Sequence, residues 1–144
     1  IIIGEGFEKP MLERLIKDLK LENKVKLIGW TENVEKYLFN ADIQLIPSLY
    51  EGFGLVASEG MSTGLPVVAS NIEGLREVLG NSPSIKLVNE IESTDEWTEK
   101  IYQMINTIKK VGHAKIAKYS KNQVKHFTFD KMAEKYLKIY SKHN

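Results

Sequence analysis

Short runs of aliphatic and β-branched residues alternate along this chain with segments whose apolar residues recur at every third or fourth position. The strand-like runs are residues 1–3, 25–28, 42–48, 67–70 and 85–88. Strands that are joined through helices run parallel, and a parallel sheet is covered on both faces, so its strands are almost continuously apolar. The alternation therefore predicts an α/β fold, a Rossmann-like parallel sheet flanked by helices, within 144 residues.

Residues typical of helix ends separate these segments. Pro10 is placed to open the first helix and Thr31 to cap the second, whereas Gly64 and Pro66 close the helix after the third strand. From about residue 94 to residue 144 the pattern is helical, with a break at Gly112 and a last helix beginning near residue 130. The positions expected to face inward are Met11, Leu12, Leu15, Ile16, Leu19, Val34, Tyr37, Leu38, Leu75, Val78, Leu79, Trp97, Ile101, Met104, Ile105 and Ile108.

The composition narrows the classes of function. The chain has no cysteine, and His113, His126 and His143 lack metal-ligand spacing, so we expect surface histidines and no metal site. No apolar run is long enough to span a bilayer, and no signal peptide is visible, which favours a cytoplasmic setting. The chain opens on three isoleucines without a methionine, as the middle of a longer protein would.

Charge is distributed unevenly along the chain. Residues 1–94 carry 9 basic and 14 acidic side chains, a net charge of −5, whereas residues 95–144 carry 11 basic and 5 acidic ones, a net charge of +6. The basic part is either the solvated face of helices or a peripheral contact with an anionic membrane surface. The acidic first part and the lack of a basic, aromatic recognition module give no reason to expect a nucleic-acid partner.

A glycine-rich loop follows the third predicted strand and leads into a helix. Ligands of open parallel sheets bind beyond the carboxyl ends of the strands, which is where this loop lies. Its glycines let a ligand approach the backbone, and the free N–H groups of a first helical turn attract anions. The loop therefore predicts a diphosphate cradle, but it lacks the Lys and Ser/Thr that end a P-loop. The residues of this segment are Glu51, Gly52, Phe53, Gly54, Leu55 and Val56.

Glu59 lies eight residues after Glu51, and the helix turns it back toward the same loop. A carboxylate accepts hydrogen bonds with two oxygens, so Glu59 suits the paired hydroxyls of a ribose and Glu51 suits sugar hydroxyls. The spacing alone favours the alternative that Glu51 caps the helix and that Glu59 is an ordinary surface residue.

The whole segment resembles the signature of the group 1 (family 4) retaining glycosyltransferases. That signature is a glutamate, seven residues, a second glutamate and then a Gly-x-Pro-Val strand, present here as Glu51, Glu59 and residues 64–67. The turns after the first two strands and the Pro47-Ser48 pair after the third extend the similarity over roughly residues 1–90. The resemblance implies a GT-B fold, in which two Rossmann-like domains face each other across a cleft.

In that fold, residues 1–144 correspond to the C-terminal, donor-binding domain, with a helical tail from about residue 94. The resemblance implies a retaining hexosyltransferase that uses a UDP-, GDP- or ADP-linked sugar as its donor, with no cofactor and no metal ion. The usual setting is surface polysaccharide or glycolipid synthesis at the inner face of a membrane. The nucleobase, the sugar and the acceptor stay open.

The resemblance also implies residue roles. Glu59 would bind the ribose, and the backbone amides of residues 54–56 would bind the phosphates. Glu51, as the catalytic-site residue, would hold the transferred sugar together with the amides of residues 52 and 53. Trp30 either stacks on the nucleobase or packs beneath its loop. The donor-binding residues implied are Gly4, Gly6, Trp30, Thr31, Gly52, Phe53, Gly54, Leu55, Val56 and Glu59.

The chain departs from the family pattern in several places. It begins after the strand and helix that carry the family's diphosphate-neutralising Arg and Lys, and it lacks the acceptor-binding N-terminal domain. Glu73 replaces the first glycine of the family's Gly-Gly-x-x-Glu loop, and Gly60 stands where alanine is usual, which we take as a minor change. We therefore expect these 144 residues alone to bind the donor weakly and to be inactive as a transferase. The missing strand also predicts either direct closure of the gap in the sheet or a non-native dimer.

Two other classes of function remain open. One is another GT-B enzyme, a sugar-nucleotide epimerase or a phosphorylase, although no histidine near the motif could serve an epimerase as acid or base. The other is a non-catalytic module that binds nucleotide sugars, against which the two intact glutamates argue. An oxidoreductase is disfavoured because residues 4–6 lack the third glycine of the dinucleotide fingerprint.

Overall fold

The computed structural model describes residues 1–141, which form two compact units, one of residues 1–37 and one that begins at Leu38. The strands are β1 (Ile2–Ile3), β2 (Leu27–Gly29), β3 (Gln44–Ile46), β4 (Val67–Ser70) and β5 (Ile85–Val88). The helices are α1 (Lys9–Asp18), α2 (Val34–Leu38), α3 (Leu55–Thr63), α4 (Glu73–Leu79), α5 (Thr94–Val111), α6 (His113–Val124) and α7 (Phe129–Tyr140). The α/β class and the order of elements predicted from the sequence are confirmed.

A parallel sheet of order β3-β4-β5 organises the second unit. Gln44 is paired with Val67 and Ile46 with Ala69, whereas Val67 is also paired with Ile85 on the other side. All four residues of β4 are buried, as expected for the central strand of a sheet that is covered on both faces.

Successive side chains of β4 enter two different cores because side chains alternate across a strand. Val67 and Ala69 pack in a cluster with α3 and α4, and Val68 packs in a second cluster with α5 and α6. The inward positions predicted on α4 and α5 are accordingly confirmed. Those fully or nearly buried are Leu75, Val78, Leu79, Met104 and Ile108.

The first unit has a much thinner core. Its two strands form a parallel pair in which Ile2 lies opposite Leu27 and Ile3 opposite Gly29. The expectation that the apolar stripe of α1 faces inward is confirmed only in part, because Leu12 and Ile16 are half-buried whereas Met11, Leu15 and Leu19 are exposed and no residue of α1 is fully buried. The spacing identifies the apolar face of a helix, but it does not supply the neighbouring element that would cover that face.

Each unit has its own parallel sheet within residues 1–141: β1 pairs with β2 in the first unit, and β3 is an edge strand of the sheet in the second. Closure of the gap and pairing of an edge with a second chain both stay predictions.

The last helix, α7, also lacks a buried residue. Thr128 caps it, since its hydroxyl accepts a hydrogen bond from the amide of Lys131. Its exposed apolar residues are Phe129, Met132, Tyr136, Leu137, Ile139 and Tyr140. None of the helices in the described part of the chain is both long and apolar enough to cross a membrane.

Candidate functional site

Gly54 sets the geometry at the start of α3. It is the N-cap of the helix and adopts the left-handed conformation, with φ +75° and ψ +41°. A β-carbon at this position would lie 2.8 Å from Leu75 Cδ2. A residue with a side chain would therefore be strained by its backbone and would also collide with α4, so glycine is needed here.

The loop before α3 presents a row of backbone amides without partners. Within residues 1–141, no protein group accepts a hydrogen bond from the amides of residues 52–56, and the first bonded amides are those of Ala57 and Ser58, which donate to the Gly54 carbonyl. No side chain caps this end of the helix. Unbonded N–H groups at the positive end of a helix attract anions, so this turn is a candidate anion site.

The first turn of α4 packs against the backbone of the glycine-rich loop at Gly74. An added β-carbon at Gly74 would collide with the carbonyl oxygen of Glu51 and would lie 3.1 Å from that of Gly52. Gly74 is the glycine retained from the family's pair, and Glu73, which replaces the other, is exposed at the start of α4. The close approach of the two backbones explains why the second glycine is retained.

The two glutamates differ in their surroundings. Glu51 is half-buried, and its carboxylate accepts a hydrogen bond from the Ser48 hydroxyl at 3.5 Å. It does not cap α3, so the capping alternative is wrong. Glu59 is exposed on α3, one helical turn beyond the free amides. Both carboxylates are thus carried by the segment that carries the anion site.

Phe53 packs against a residue that the sequence did not point to. Its ring meets the ring of Phe127 edge to face, with centroids 5.7 Å apart and planes at 70°. Phe127 lies between α6 and α7, 74 residues further along the chain, and such pairs contribute about 0.5–1.5 kcal/mol beyond their burial. The contact supports the glycine-rich loop from the C-terminal helices.

The remaining predicted site residues lie in the first unit. The turns that follow β1 and β2 are joined, since the amide of Gly4 donates to the carbonyl of Gly29 at 2.9 Å. The carbonyl of Gly6 accepts a hydrogen bond from the backbone amide of Lys9, the first residue of α1. Thr31 accepts a hydrogen bond from the amide of Asn33 at 3.1 Å, just before α2.

Trp30 extends from the second of these turns and is 69% exposed. The alternative that Trp30 packs beneath its loop is therefore wrong. Its exposed ring is free to stack on a planar group.

Polar residues also follow β4 and β5. Asn71 donates to Asn89 at 2.6 Å, and the Glu96 carboxylate accepts from the amides of Asn89 and Glu90 at 3.0 and 2.6 Å. These amides, and then the nearby Lys100, hold the pKa of Glu96 below its ordinary value. The cluster connects the ends of these two strands to the first turn of α5.

The structure contains no second candidate of comparable chemistry within the described residues. No group of three His, Cys, Asp or Glu side chains among residues 1–141 is arranged to hold a metal ion. His113 and His126 are exposed as expected, and His143 lies outside the described residues. A cavity of about 470 Å³ lies at the opposite end of β3 from the glycine-rich loop. Its lining residues are Asp42, Ile43, Ile105, Ile108, Lys109 and His113.

Comparison with known proteins gives consistent results. Residues 1–125 match the family described as "Glycosyl transferases group 1". The O-antigen biosynthesis glycosyltransferase WclY of Escherichia coli is 31% identical over 141 residues, which cover 98% of this chain and 38% of WclY.

Solved structures agree with this match. A glycosyltransferase from Rickettsia africae superposes with a TM-score of 0.84 at 26% identity, over 97% of this chain and 38% of that one. A TarM mutant from S. aureus, in complex with Fondaparinux, alpha-GlcNAc-glycerol and UDP, gives a TM-score of 0.83 at 28% identity, over 96% of this chain and 28% of that one. The chain therefore spans less than two fifths of the length of each of these proteins.

Proposed function

Because the chain belongs to the group 1 glycosyl transferases, we propose that it is the donor-binding domain of a retaining hexosyltransferase and that it binds a nucleotide-diphosphate sugar. One observation carries the proposal: five consecutive unbonded amides at the N-terminus of α3 are flanked in sequence by Glu51 and Glu59. Such amides match the charge of a diphosphate, and the two carboxylates match hydroxyl groups on either side of it.

In this proposal each group has one task. The amides of residues 54–56 hold the phosphates, and Glu59 accepts hydrogen bonds from the ribose hydroxyls. Glu51, with the amides of residues 52 and 53, positions the transferred sugar. Gly4, Gly6, Trp30 and Thr31 keep the donor-binding role that the family resemblance implies for them, and the exposed Trp30 ring stacks on the nucleobase.

The proposed reaction moves a glycosyl group from phosphate to an acceptor hydroxyl. The bond from the anomeric carbon to the phosphate oxygen breaks, and a bond to the acceptor oxygen forms on the same face of the sugar. The proton of the acceptor hydroxyl passes to the departing phosphate oxygen, so that the step balances. The leaving diphosphate gains negative charge, which the amides and the dipole of α3 stabilise in the role that a metal ion has in other enzymes. No cofactor is part of this scheme.

The cellular role follows from the relatives and from charge. WclY is named for O-antigen biosynthesis, so we assign the parent protein to surface polysaccharide or glycolipid synthesis, in the cytoplasm. Residues 100–129 contain seven lysines and no acidic residue, which suits peripheral contact with an anionic membrane face. Cosedimentation with anionic vesicles that persists at high salt would argue against an electrostatic contact of this kind.

Calorimetric titration with UDP, GDP and ADP tests the proposed donor site. We expect the chain to bind one of the three, and Glu59→Ala to weaken that binding about tenfold or more, because hydrogen bonds to a charged group are each worth about 1.5–3 kcal/mol. The same substitution at the exposed Glu92, outside the proposed site, is the control and should leave the affinity unchanged.

Two results would contradict the proposal. Equal loss of affinity in the Glu59 and Glu92 variants would mean that general charge, and not a ribose contact, governs binding. Absence of binding to any of the three nucleotides would mean that residues 1–144 do not form a donor site by themselves.

A further inference from the structure

Gln44 on β3 contacts the first turn of α3 through its side chain. Its Nε2 donates a hydrogen bond to the Val56 carbonyl at 2.9 Å. A carbonyl can only accept, so this contact fixes which end of the Gln44 amide is the nitrogen. Val56 is also one of the residues whose free N–H groups form the anion site. The strand that precedes the glycine-rich loop is thus bonded directly to the turn that follows it.

Gly60 makes this contact possible. It is buried in the interior of α3, where glycine costs about 1 kcal/mol relative to alanine. A β-carbon at this position would collide with the Oε1 atom of Gln44. Alanine at position 60 and the present placement of the Gln44 side chain therefore exclude each other. The glycine, which the sequence presented as a minor change, has a specific structural reason.

The arrangement is not the most stable way to fill this space. The Oε1 atom of Gln44 is buried and has no hydrogen-bond partner among the described residues. An unpaired buried acceptor costs about 1–3 kcal/mol, whereas a methionine of similar shape would fill the same volume without that loss. The chain thus combines a helix-interior glycine with an unpaired buried oxygen. The one favourable polar contact that this combination provides is the hydrogen bond to Val56.

We propose that Gln44 is a positioning residue for the phosphate-binding turn, and that Gly60 is the residue that makes room for it. The inference rests on the proposed function of that turn. Gln44 is held in place by strand β3, because its backbone amide donates a hydrogen bond to the Pro66 carbonyl at 3.0 Å. Its side chain holds the Val56 carbonyl, and with it the direction in which the amides of Leu55 and Val56 point. Gln44 touches no ligand in this scheme and acts only through the turn.

Gln44→Met separates positioning from mere packing. We expect it to keep or raise the free energy of unfolding, because it removes the unpaired oxygen, and to weaken nucleoside diphosphate binding about five- to tenfold, the value of one hydrogen bond. Binding of the matching monophosphate should change less, since the turn mainly holds the diphosphate. Calorimetry measures the affinities for UDP, GDP and ADP and for the matching monophosphates UMP, GMP and AMP. Gln103→Met, which removes a Gln amide that donates to Glu99 on α5, is the matched control.

Two readouts do not depend on a ligand. Gln44→Met should speed hydrogen exchange at the Ala57 and Ser58 amides, which bond to Gly54 in the same turn, without lowering global stability. Gly60→Ala should destabilise the chain when residue 44 is Gln and stabilise it when residue 44 is Ala, a change of sign that a double-mutant cycle measures.

The outcomes distinguish this inference from the proposed function. If no nucleotide binds the unmodified chain, the proposed donor site is wrong. The hydrogen-exchange rates and the double-mutant cycle then still test whether Gln44 positions the turn, because neither measurement needs a ligand. If the unmodified chain binds a nucleotide, the positioning role is overturned when Gln44→Met leaves the ratio of diphosphate affinity to monophosphate affinity unchanged. It is also overturned when Gln44→Met leaves hydrogen exchange at the Ala57 and Ser58 amides unchanged. Loss of stability with equal loss of both affinities also overturns it, because that result describes a packing residue.

Discussion

Gly52 and Gly54 lie two positions apart in the same loop, but their backbones differ. Gly54 has a positive φ and no room for a β-carbon beside Leu75, whereas a β-carbon at Gly52 would meet nothing within 4 Å. We expect Gly54→Ala to lower the free energy of unfolding by about 1–3 kcal/mol and to abolish nucleotide binding. Gly52→Ala should change stability by less than about 0.5 kcal/mol and keep the diphosphate contact. Denaturant unfolding and calorimetry of both variants check this, and equal losses would contradict it.

Lys20 is the one described residue other than glycine with a positive φ, at +56°. It follows the last turn of α1, the position at which helices commonly end with a left-handed glycine. Lys20→Gly should therefore raise the free energy of unfolding by about 0.5 kcal/mol, since it relieves the strain but loosens the unfolded chain. Lys17→Gly, within the same helix, is the control and should lower the free energy by about 1 kcal/mol. Chevron kinetics or equilibrium unfolding in urea measures both variants. Equal changes in the free energy of unfolding for Lys20→Gly and Lys17→Gly would contradict this account.

At the scale of elements, the first turn of α5 depends on the charge of Glu96. The pKa of this carboxylate is lowered in the fold, chiefly by the amides of Asn89 and Glu90. A group whose pKa is lowered by folding stabilises the protein above its ordinary pKa, and that contribution is lost as the pH falls through the folded value. Glu96→Gln should therefore lower the melting temperature at pH 7, and the difference from the unmodified chain should shrink toward pH 3. Glu99→Gln, one turn further along α5, should show a smaller difference at every pH.

The sequence predicted most elements, but not the contacts between distant ones. The burial of Leu75, Val78 and Leu79 follows from their spacing, because period alone identifies the inner face of α4. The same reasoning was only partly right for α1, where Leu12 and Ile16 are half-buried but Met11, Leu15 and Leu19 are exposed. Periodicity reports which face is apolar and says nothing about what lies against it.

The candidate site shows the same division. Glu51, Glu59 and the glycines between them are close in sequence, so their spacing carried the prediction. The contacts that support the loop join residues far apart in the chain: Gly74 beneath Glu51, and Phe127 against Phe53. A single sequence holds no signal for such pairs. Gly60 was visible as an unusual residue, but its meaning depends on Gln44, sixteen positions earlier.

At the scale of the whole molecule, the outer edge of β3 is the place where we expect a second chain to pair. Gln44 and β4 are hydrogen-bonded, so in the alternation of a parallel strand the Leu45 N–H points away from the sheet. Exposed edges of this kind pair with a second chain. We expect concentration-dependent dimers in light scattering, and we expect Leu45→Pro to remove them, because proline lacks that N–H. Leu45→Ala keeps the N–H and should still dimerise, and a monomer at all concentrations would contradict the idea.

The last prediction concerns activity. The chain covers 38% of WclY, and the groups of the proposed donor site, which are amides and carboxylates, are all assigned to the donor. Transfer requires the acceptor hydroxyl to be held against the anomeric carbon, and losing such positioning removes several orders of magnitude in rate. We therefore expect residues 1–144 to bind the donor and to transfer no measurable sugar, which a radiolabelled-donor assay over a panel of lipid and glycan acceptors would test. Sugar transfer by the chain alone would show that these residues carry both halves of the reaction.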